Sequence, residues 1–234
     1  GVSLAALGDW DGDGIPDMAV GAYGDTGGYL RYTSYGTTYY GSAGAVCIVF
    51  LNSDGTAKAM QTISNSHGNL ASFYTLNSYG RFGFSLAALG DWNGDGIPDM
   101  AVGAPWDNDG TGAVYIIFLN SDGTAGNVHK ISNSHGGLSS FYTLGTLIYF
   151  GISLAAIGDL NSDGIADLAV GAAWADDGSG TLYTLFMTAN VTVGGAQKIS
   201  NSEGGFAAHH ALGENDRFGW SVASIGDLDG DGIS

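Results

Sequence analysis

The sequence predicts an all-β fold made of repeated four-stranded units, and three observations support this prediction. Glycine is very frequent, with 41 of 234 residues, whereas proline occurs only three times. Short apolar runs rich in β-branched and aromatic residues alternate with the glycines, which is typical of strands joined by tight turns. One acidic nonapeptide also recurs along the chain, which indicates that the fold is built from repeats.

The acidic nonapeptide sets the length of the repeated unit. Its four copies are DWDGDGIPD from Asp9, DWNGDGIPD from Asp91, DLNSDGIAD from Asp159 and DLDGDGIS from Asp227. The second and third copies are 68 residues apart, as are the third and fourth, whereas the first and second are 82 apart. The 14 extra residues lie between AVGA and GAVCIVF of the first unit. We expect one repeat region over 1–234, with approximate units at 1–81, 82–149, 150–217 and 218–234, of which the first and last are truncated.

Four strands are predicted in the second unit. In chain order they are FSLAALG from Phe84, DMAVGA from Asp99, AVYIIFL from Ala113 and NVHKIS from Asn127. The Asp-Gly pair between the third and fourth strands is a hairpin signal. The apolar runs show little strict alternation, so we expect both faces of these strands to be covered. Four antiparallel strands in each unit favour the blades of a β-propeller, with a β-sandwich or an open β-solenoid as alternatives.

The nonapeptide is predicted to bind a metal ion. Positions 1, 3, 5 and 9 carry carboxylates or carboxamides, and the glycine at position 6 lets the backbone bend so that the carbonyl of position 7 points inward. Oxygen donors at alternate positions favour Ca²⁺ over Mg²⁺, which prefers a strict octahedron with several waters. The candidate ligands are Asp9, Asp11, Asp13, Ile15 and Asp17; Asp91, Asn93, Asp95, Ile97 and Asp99; Asp159, Asn161, Asp163, Ile165 and Asp167; and Asp227, Asp229, Asp231 and Ile233.

The nonapeptides have two alternative interpretations besides a calcium site of this kind. An EF-hand needs a carboxylate at position 12, where the chain has Val20, Val102 and Val170, and its flanks should be helical. The nonapeptides could also be acidic Asp-Gly turns without a metal. Identical donor spacing in three full copies argues against that, because clustered carboxylates repel one another unless a cation lies between them.

Charge and composition exclude several other classes of protein. The formal net charge is −17, and thirteen of the 23 acidic residues lie in the four nonapeptides. Only six lysines and arginines are present, too few for a nucleic-acid footprint. Cys47 is the single cysteine, so no intrachain disulfide forms, and the longest apolar run, AVCIVFL, is too short to span a bilayer.

No catalytic constellation is predicted, and we do not expect an enzyme. His67 and His135 occupy the same place in their units as Glu203, which indicates a surface turn. Cys47 aligns with tyrosines of the later units and is expected to be buried within a strand. Trp10 and Trp92 are replaced by leucine in the other copies, so we expect them in the core.

Short signatures flank each nonapeptide. Phe-Gly occurs at Phe82, Phe150 and Phe218, and Gly-Ala-Pro at Gly103, with the variants Gly-Ala-Tyr at Gly21 and Gly-Ala-Ala at Gly171. In these features the chain resembles the FG-GAP repeats of the integrin alpha-subunit propeller, and more closely those of bacterial surface and secreted proteins. The resemblance implies a β-propeller with calcium between strands 1 and 2 of each blade, and an extracellular or cell-surface role in adhesion or scaffolding. No inserted metal-dependent ligand domain is visible.

The leading functional hypothesis is a calcium-binding extracellular module for adhesion or for recognition of a protein or glycan. One alternative is a structural subunit of an extracellular filament or repeat array, in which exposed blade edges self-associate. The other is a non-catalytic propeller of a larger secreted enzyme. No signal peptide opens the chain, so any targeting segment is expected to lie outside it.

Two further features are candidate sites. The insertion of the first unit combines tyrosines with Ser, Thr and Gly, the composition of adaptable recognition loops, and is expected on the face opposite the calcium loops. Its candidate ligand-binding residues are Tyr29, Arg31, Tyr32, Tyr35, Tyr39 and Tyr40. A longer hairpin that packs on a neighbouring blade or subunit is the alternative. Asn190 lies in Asn-Val-Thr, the only glycosylation sequon of the chain, at the expected tip of a hairpin.

Overall fold

The described residues form three four-stranded antiparallel sheets and one two-stranded sheet, which confirms the all-β prediction. The computed structural model describes residues 1–26, 31–34 and 37–227, and for 31–34 and 37–40 it describes the backbone alone. In the first unit the strands are β1 (Leu4–Gly8), β2 (Asp17–Gly21), β3 (Arg31–Ser34), β4 (Thr37–Tyr40), β5 (Val46–Leu51) and β6 (Ala57–Ile63). The first sheet has the order β1-β2-β5-β6, and β3 and β4 form a separate two-stranded hairpin inserted between β2 and β5.

The second and third sheets repeat this arrangement without the inserted hairpin. The second contains β7 (Ser85–Gly90), β8 (Asp99–Ala104), β9 (Ala113–Leu119) and β10 (Ala125–Ile131). The third contains β11 (Ser153–Ala156), β12 (Leu168–Ala172), β13 (Thr181–Met187) and β14 (Val193–Ile199). The fourth strand of the second unit begins at Ala125, two residues before the predicted start.

Helical structure in the described residues is confined to single turns. These are α1 (Asp107–Gly110) and the 3₁₀ turns Leu70–Ser72, Leu138–Ser140, Asp176–Gly178 and Phe206–Ala208. Three of the 3₁₀ turns lie in the connection from the last strand of one sheet to the next unit. The connections thus contain little regular structure, and the candidate sites lie on the strands and on the loops between them.

The hydrophobic core lies between neighbouring sheets. In β9, Ile117 and Leu119 pack with residues of the first sheet, whereas Ile116 and Phe118 pack with residues of the third. Every residue of β9 is therefore buried, which confirms that strands of the middle sheet are covered on both faces. The alternating pattern expected of a half-buried strand is absent there because neither face meets water.

In the first sheet, by contrast, burial alternates along β5. Val46, Ile48 and Phe50 are buried against the second sheet, whereas the residues between them are half-buried. Cys47 is one of these, so the prediction that it is buried was wrong in degree. Its Sγ lies 3.8 Å from Thr62 Oγ1 on β6. Cys47 therefore packs on the less covered face of this sheet.

The Phe-Gly and Gly-Ala signatures lock neighbouring units together. Phe150 is fully buried, and the Oγ of Ser85 donates a hydrogen bond to the carbonyl of Gly151 in the next unit at 2.7 Å. A Cβ on Gly103 would overlap that same carbonyl oxygen. Equivalent bonds join Ser3 to Gly83 at 2.9 Å and Ser153 to Gly219 at 2.7 Å. Because the same contact recurs at each of these junctions, the first strands of the three sheets are held side by side.

Candidate metal centre

Each complete nonapeptide forms the loop between the first and second strands of its sheet. The loops 9–17, 91–99 and 159–167 follow β1, β7 and β11 and lead into β2, β8 and β12. Because the three sheets share one topology, the three loops lie at the same end of the blades. The glycine at position 6 has a positive φ in all three loops, 86° at Gly14, 87° at Gly96 and 86° at Gly164. This confirms that glycine is needed for the bend.

The carboxylate at position 9 is buried and fastens each loop to the rest of its blade. Asp99 is fully buried and accepts hydrogen bonds from the backbone N–H groups of Trp92 and Leu119, each at 3.1 Å. The same pair of bonds reaches Asp17 from Trp10 and Leu51 and reaches Asp167 from Leu160 and Met187. Position 9 therefore joins the loop to the end of the third strand.

The carboxylate at position 1 lies at the centre of the loop. Asp91 accepts hydrogen bonds from the N–H groups of Gly94 at 2.7 Å, Asp95 at 3.0 Å and Gly96 at 2.8 Å. The corresponding N–H of position 6 donates to Asp9 at 2.9 Å and to Asp159 at 2.7 Å. The backbone thus curls around this carboxylate.

Positions 3 and 5 are linked to each other. The Asn93 amide donates to Asp95 Oδ2 at 3.0 Å, and the Asn161 amide donates to Asp163 Oδ2 at 2.9 Å. The first loop has Asp11 instead of asparagine, and there the ammonium group of Lys58 bonds Asp11 Oδ2 at 2.8 Å and Asp13 Oδ2 at 2.7 Å. In all three loops the Oδ2 atom of position 5, its outer oxygen, therefore accepts a hydrogen bond from a side chain.

In the first loop, three carboxylates are close enough to share one cation. One oxygen from each of Asp9, Asp11 and Asp17 lies within 4.8 Å of the other two. The donors in all three loops are carboxylate and carboxamide oxygens, without sulfur or imidazole, which fits a hard cation such as Ca²⁺. Of the predicted fourth loop, Asp227 is the last described residue, and Asp229, Asp231 and Ile233 lie outside the described residues.

Burial and hydrogen bonding shift the pKa values of the loop carboxylates in opposite directions. Burial raises the pKa of Asp99 to about 6, although its backbone hydrogen bonds act against the shift, and burial likewise raises the pKa of Asp167. The hydrogen bond from Lys58 lowers the pKa of Asp13. A buried carboxylate that is costly to ionise gains from a nearby cation, because the cation favours its charged form.

A row of aromatic side chains crosses the opposite end of the blades. Its members are Tyr23, Phe84, Trp106, Tyr149, Trp174 and Trp220. Successive ring centroids lie between 4.7 and 5.3 Å apart. These residues either follow the second strand of a blade or precede the first, so they lie at the end away from the metal loops. We call this set the aromatic row.

Two arginines stack on the aromatic row. The guanidinium of Arg81 lies 3.9 Å from the ring centroid of Trp106, and that of Arg217 lies 4.6 Å from the centroid of Trp174. Trp220 is 48% exposed, and the other five rings are half-buried.

The β3–β4 hairpin follows β2 in the chain and therefore begins at this same end of the blades. Of the candidate recognition residues, Tyr29 and Tyr35 lie outside the described residues, and Arg31, Tyr32, Tyr39 and Tyr40 are placed in β3 and β4 by their backbone only.

Sequence reasoning missed the aromatic row, although a signal was present. An aromatic residue follows closely after the Gly-Ala pair in each unit, as Tyr23, Trp106 and Trp174. The other predicted placements agree with the structure except that of Trp92, which was expected in the core and is only partly buried. His67 and His135 are exposed in turns, Trp10 is buried and Trp92 half-buried. Asn190 is exposed in the hairpin between β13 and β14, and its glycosylation stays a prediction.

Comparison with known proteins identifies the repeats. The family model of the FG-GAP repeat matches residues 82–117 and 150–185. Mouse integrin alpha-M is 45% identical over 94 residues, which cover 40% of this chain and 8% of the relative. Human integrin alpha-7 is 33% identical over 188 residues, covering 78% of the chain and 13% of the relative. Integrin alpha pat-2 of Caenorhabditis briggsae is 32% identical over 241 residues, covering 82% and 19%.

The three sheets are β-propeller blades. The chain is an FG-GAP repeat protein with repeats of the integrin alpha type. It spans less than a fifth of the length of these relatives. In the part of the chain that the structure describes, no helix is long and apolar enough to cross a membrane.

Proposed function

We propose that the chain is a calcium-binding extracellular β-propeller module that serves adhesion or the recognition of a protein or glycan. The observation that carries this proposal is the threefold repetition of one loop, with oxygen donors at the same positions of the same backbone scaffold. A single acidic turn is common in proteins without a metal. Three copies that each bury the carboxylate of position 9 and curl around that of position 1 favour a common ligand.

The ion would be held by the side chains of positions 1, 3, 5 and 9, together with the carbonyl of position 7. In the second loop these residues are Asp91, Asn93, Asp95, Asp99 and Ile97. When bound, Ca²⁺ supplies positive charge that offsets the repulsion between the carboxylates. Because Asp99 bonds the end of β9, holding Asp99 in its charged form also strengthens the link between the loop and its blade. Folding is then coupled to calcium.

An extracellular or cell-surface location follows from this coupling. Extracellular calcium is millimolar, and calcium-binding modules of extracellular proteins are adapted to that range. The similarity to integrin alpha chains supports the same location. FG-GAP repeats of this type are non-catalytic modules, which favours binding over catalysis. A filament subunit and a propeller within a larger secreted enzyme remain the alternatives.

The aromatic row supports recognition at the end opposite the metal loops. Half-buried aromatic rings give large contact area at low cost in conformational entropy, and Arg81 and Arg217 add donors beside them. Protein surfaces and sugars both suit such a surface. The tyrosine-rich insertion of the first unit extends from the same end of the blades.

The calcium proposal is tested by thermal melting in chelator and in millimolar CaCl₂. We expect calcium to raise the melting temperature, and Asp95→Ala to reduce that increase by removing one ligand. The matched control is Asp122→Ala, because Asp122 is an exposed aspartate that bonds Thr124 in the β9–β10 turn, outside the metal loops. Identical melting curves in chelator and calcium would show that the loops do not hold the ion.

A further inference from the structure

The first metal loop contains a feature that the second and third lack. The ammonium group of Lys58, on β6, forms ion pairs with Asp11 Oδ2 at 2.8 Å and with Asp13 Oδ2 at 2.7 Å. These two carboxylates occupy positions 3 and 5 of the proposed calcium loop.

The position of Lys58 is equivalent to a glycine in each of the other two blades. The fourth strand has a β-bulge opposite the end of the third strand in all three blades. Lys58 is the extra residue of this bulge in β6, and Gly126 and Gly194 are the extra residues in β10 and β14. Because the backbone is the same, the difference is the side chain alone, and a lysine from this bulge reaches over the metal loop.

A second difference accompanies the lysine. Position 3 is Asp11 in the first loop, whereas it is Asn93 and Asn161 in the others. In those loops the asparagine amide donates to the outer oxygen of position 5, and in the first loop the Lys58 ammonium takes over that role. The first loop therefore has one more carboxylate and one more ammonium group. Its net charge together with Lys58 equals that of the other two loops.

We propose that Lys58 is a built-in counter-ion that competes with the divalent cation for Asp11 and Asp13. The inference rests on the proposed calcium function and deepens it, because it assigns different affinities to the loops. The ammonium group occupies one oxygen of each carboxylate and stays within a few ångströms of any ion bound between them. The first loop is then the weakest calcium site of the three, although it has the most carboxylates.

Charge arithmetic gives the size of the effect. A monovalent and a divalent cation about 6 Å apart in water repel each other enough to weaken binding about tenfold. Removal of the ammonium leaves four carboxylates without a counter-ion. We therefore expect Lys58→Gly to tighten calcium binding to the first loop by about tenfold and to make it the strongest of the three sites.

The experiment is a calcium titration followed by NMR through one backbone amide in each loop. Gly14, Gly96 and Gly164 all donate to the carboxylate of position 1, so the shift of each amide reports on its own loop. In the wild-type protein we expect Gly14 to respond at a higher calcium concentration than Gly96 and Gly164. In Lys58→Gly, Gly14 should respond first, and the other two amides should keep their wild-type midpoints.

Further variants separate charge from backbone effects. Lys58→Gln keeps a long side chain at the bulge without the charge and should also tighten the first site. The double variant Asn93→Asp with Gly126→Lys installs the pair in the second blade and should shift the Gly96 midpoint to a higher calcium concentration.

The outcomes distinguish this inference from the calcium proposal itself. If no loop amide responds to calcium, the proposed function fails. If Gly96 and Gly164 respond but Lys58→Gly and Lys58→Gln leave the Gly14 midpoint unchanged or weaken it, calcium binding stands and the role of Lys58 is refuted.

Discussion

Asp99 Oδ1 accepts a hydrogen bond from the backbone N–H of Leu119 at 3.1 Å. These residues are the last position of the second metal loop and the last residue of β9, so the bond joins the loop to a strand that is not its neighbour in sequence. The other oxygen of Asp99, Oδ2, accepts a hydrogen bond from the N–H of Trp92 at the start of the same loop. One buried carboxylate thus organises the loop through the protein's own hydrogen bonds.

This arrangement predicts different effects for Asp99→Ala and Asp95→Ala in the absence of metal. Asp99→Ala leaves the buried N–H of Leu119 and the half-buried N–H of Trp92 without their acceptor and should lower the free energy of unfolding by about 3 kcal/mol. Asp95 is exposed, so its replacement should cost less than about 1 kcal/mol in chelator and show its full effect only in calcium. Urea unfolding of both variants, with and without calcium, measures the difference. Equal losses in chelator would contradict a scaffolding role for position 9.

The contact between neighbouring blades at Gly103 gives a second prediction. A methyl group there would overlap the carbonyl oxygen of Gly151 and the Oγ of Ser85, both of which are fixed by their mutual hydrogen bond. Gly103→Ala should therefore destabilise the protein by about 3 kcal/mol. Gly24→Ala is the control, since a Cβ at Gly24 meets no atom within 4 Å. If both variants melt together, the close approach of the blades does not limit stability.

The sequence predicted the strands and the position of the acidic loops between the first and second strands, because both depend on local chemistry. β9 follows from a run of seven apolar residues, and the loop from side chains within nine residues of one another. The ion pair of Lys58 with Asp13 joins residues 45 apart, and no local pattern predicts it. Comparison of the three units does show a lysine where the others have glycine. Which side chains meet across repeats depends on how the blades pack.

The half-buried His129 on β10 gives a prediction for pH. Burial lowers the pKa of His129, whose ring packs edge-on against Phe118 with centroids 5.7 Å apart. In the unfolded chain His129 takes up a proton near pH 6.5, whereas burial disfavours protonation in the folded protein. The contribution of His129 to the free energy of unfolding is therefore complete above that pH and is lost as the pH falls.

The corresponding variant is His129→Gln. Melting temperatures in chelator between pH 8 and pH 5 should decline less steeply for this variant than for the wild type. His67→Gln, in an exposed turn, should keep the wild-type decline. A wild-type slope in both variants would contradict the role of His129.

Glycosylation of Asn190 is a further prediction. Asn190 and Ala189 are exposed at the tip between β13 and β14, and Thr192 follows within the sequon. The asparagine is therefore accessible to a modifying enzyme. Intact-mass analysis of material from a glycosylating host should show added sugar that is lost in Asn190→Gln. An unmodified mass would show that the sequon is not used.

The recognition face is tested by exchanging the insertion of the first unit. We predict that replacing residues 29–40 with WDNDGTG, the short connection of the second unit, leaves a folded protein with weaker binding. The reason is that β3 and β4 form their own two-stranded sheet, outside the four-stranded blade whose hydrogen bonds they do not share. Trp106→Ala tests the aromatic row separately, because it removes a ring that stacks with Phe84, Tyr149 and Arg81.

Binding is measured on a glycan array and on immobilised extracellular matrix proteins, with melting temperature as the measure of folding. Loss of binding in the exchanged variant with little change in melting temperature supports a recognition role for the insertion. Unchanged binding in a folded variant contradicts it, and a large fall in melting temperature assigns the insertion to packing instead. If Trp106→Ala abolishes binding while the exchanged variant still binds, the ligand contacts the aromatic row. If only the exchanged variant loses binding, the ligand contacts the insertion.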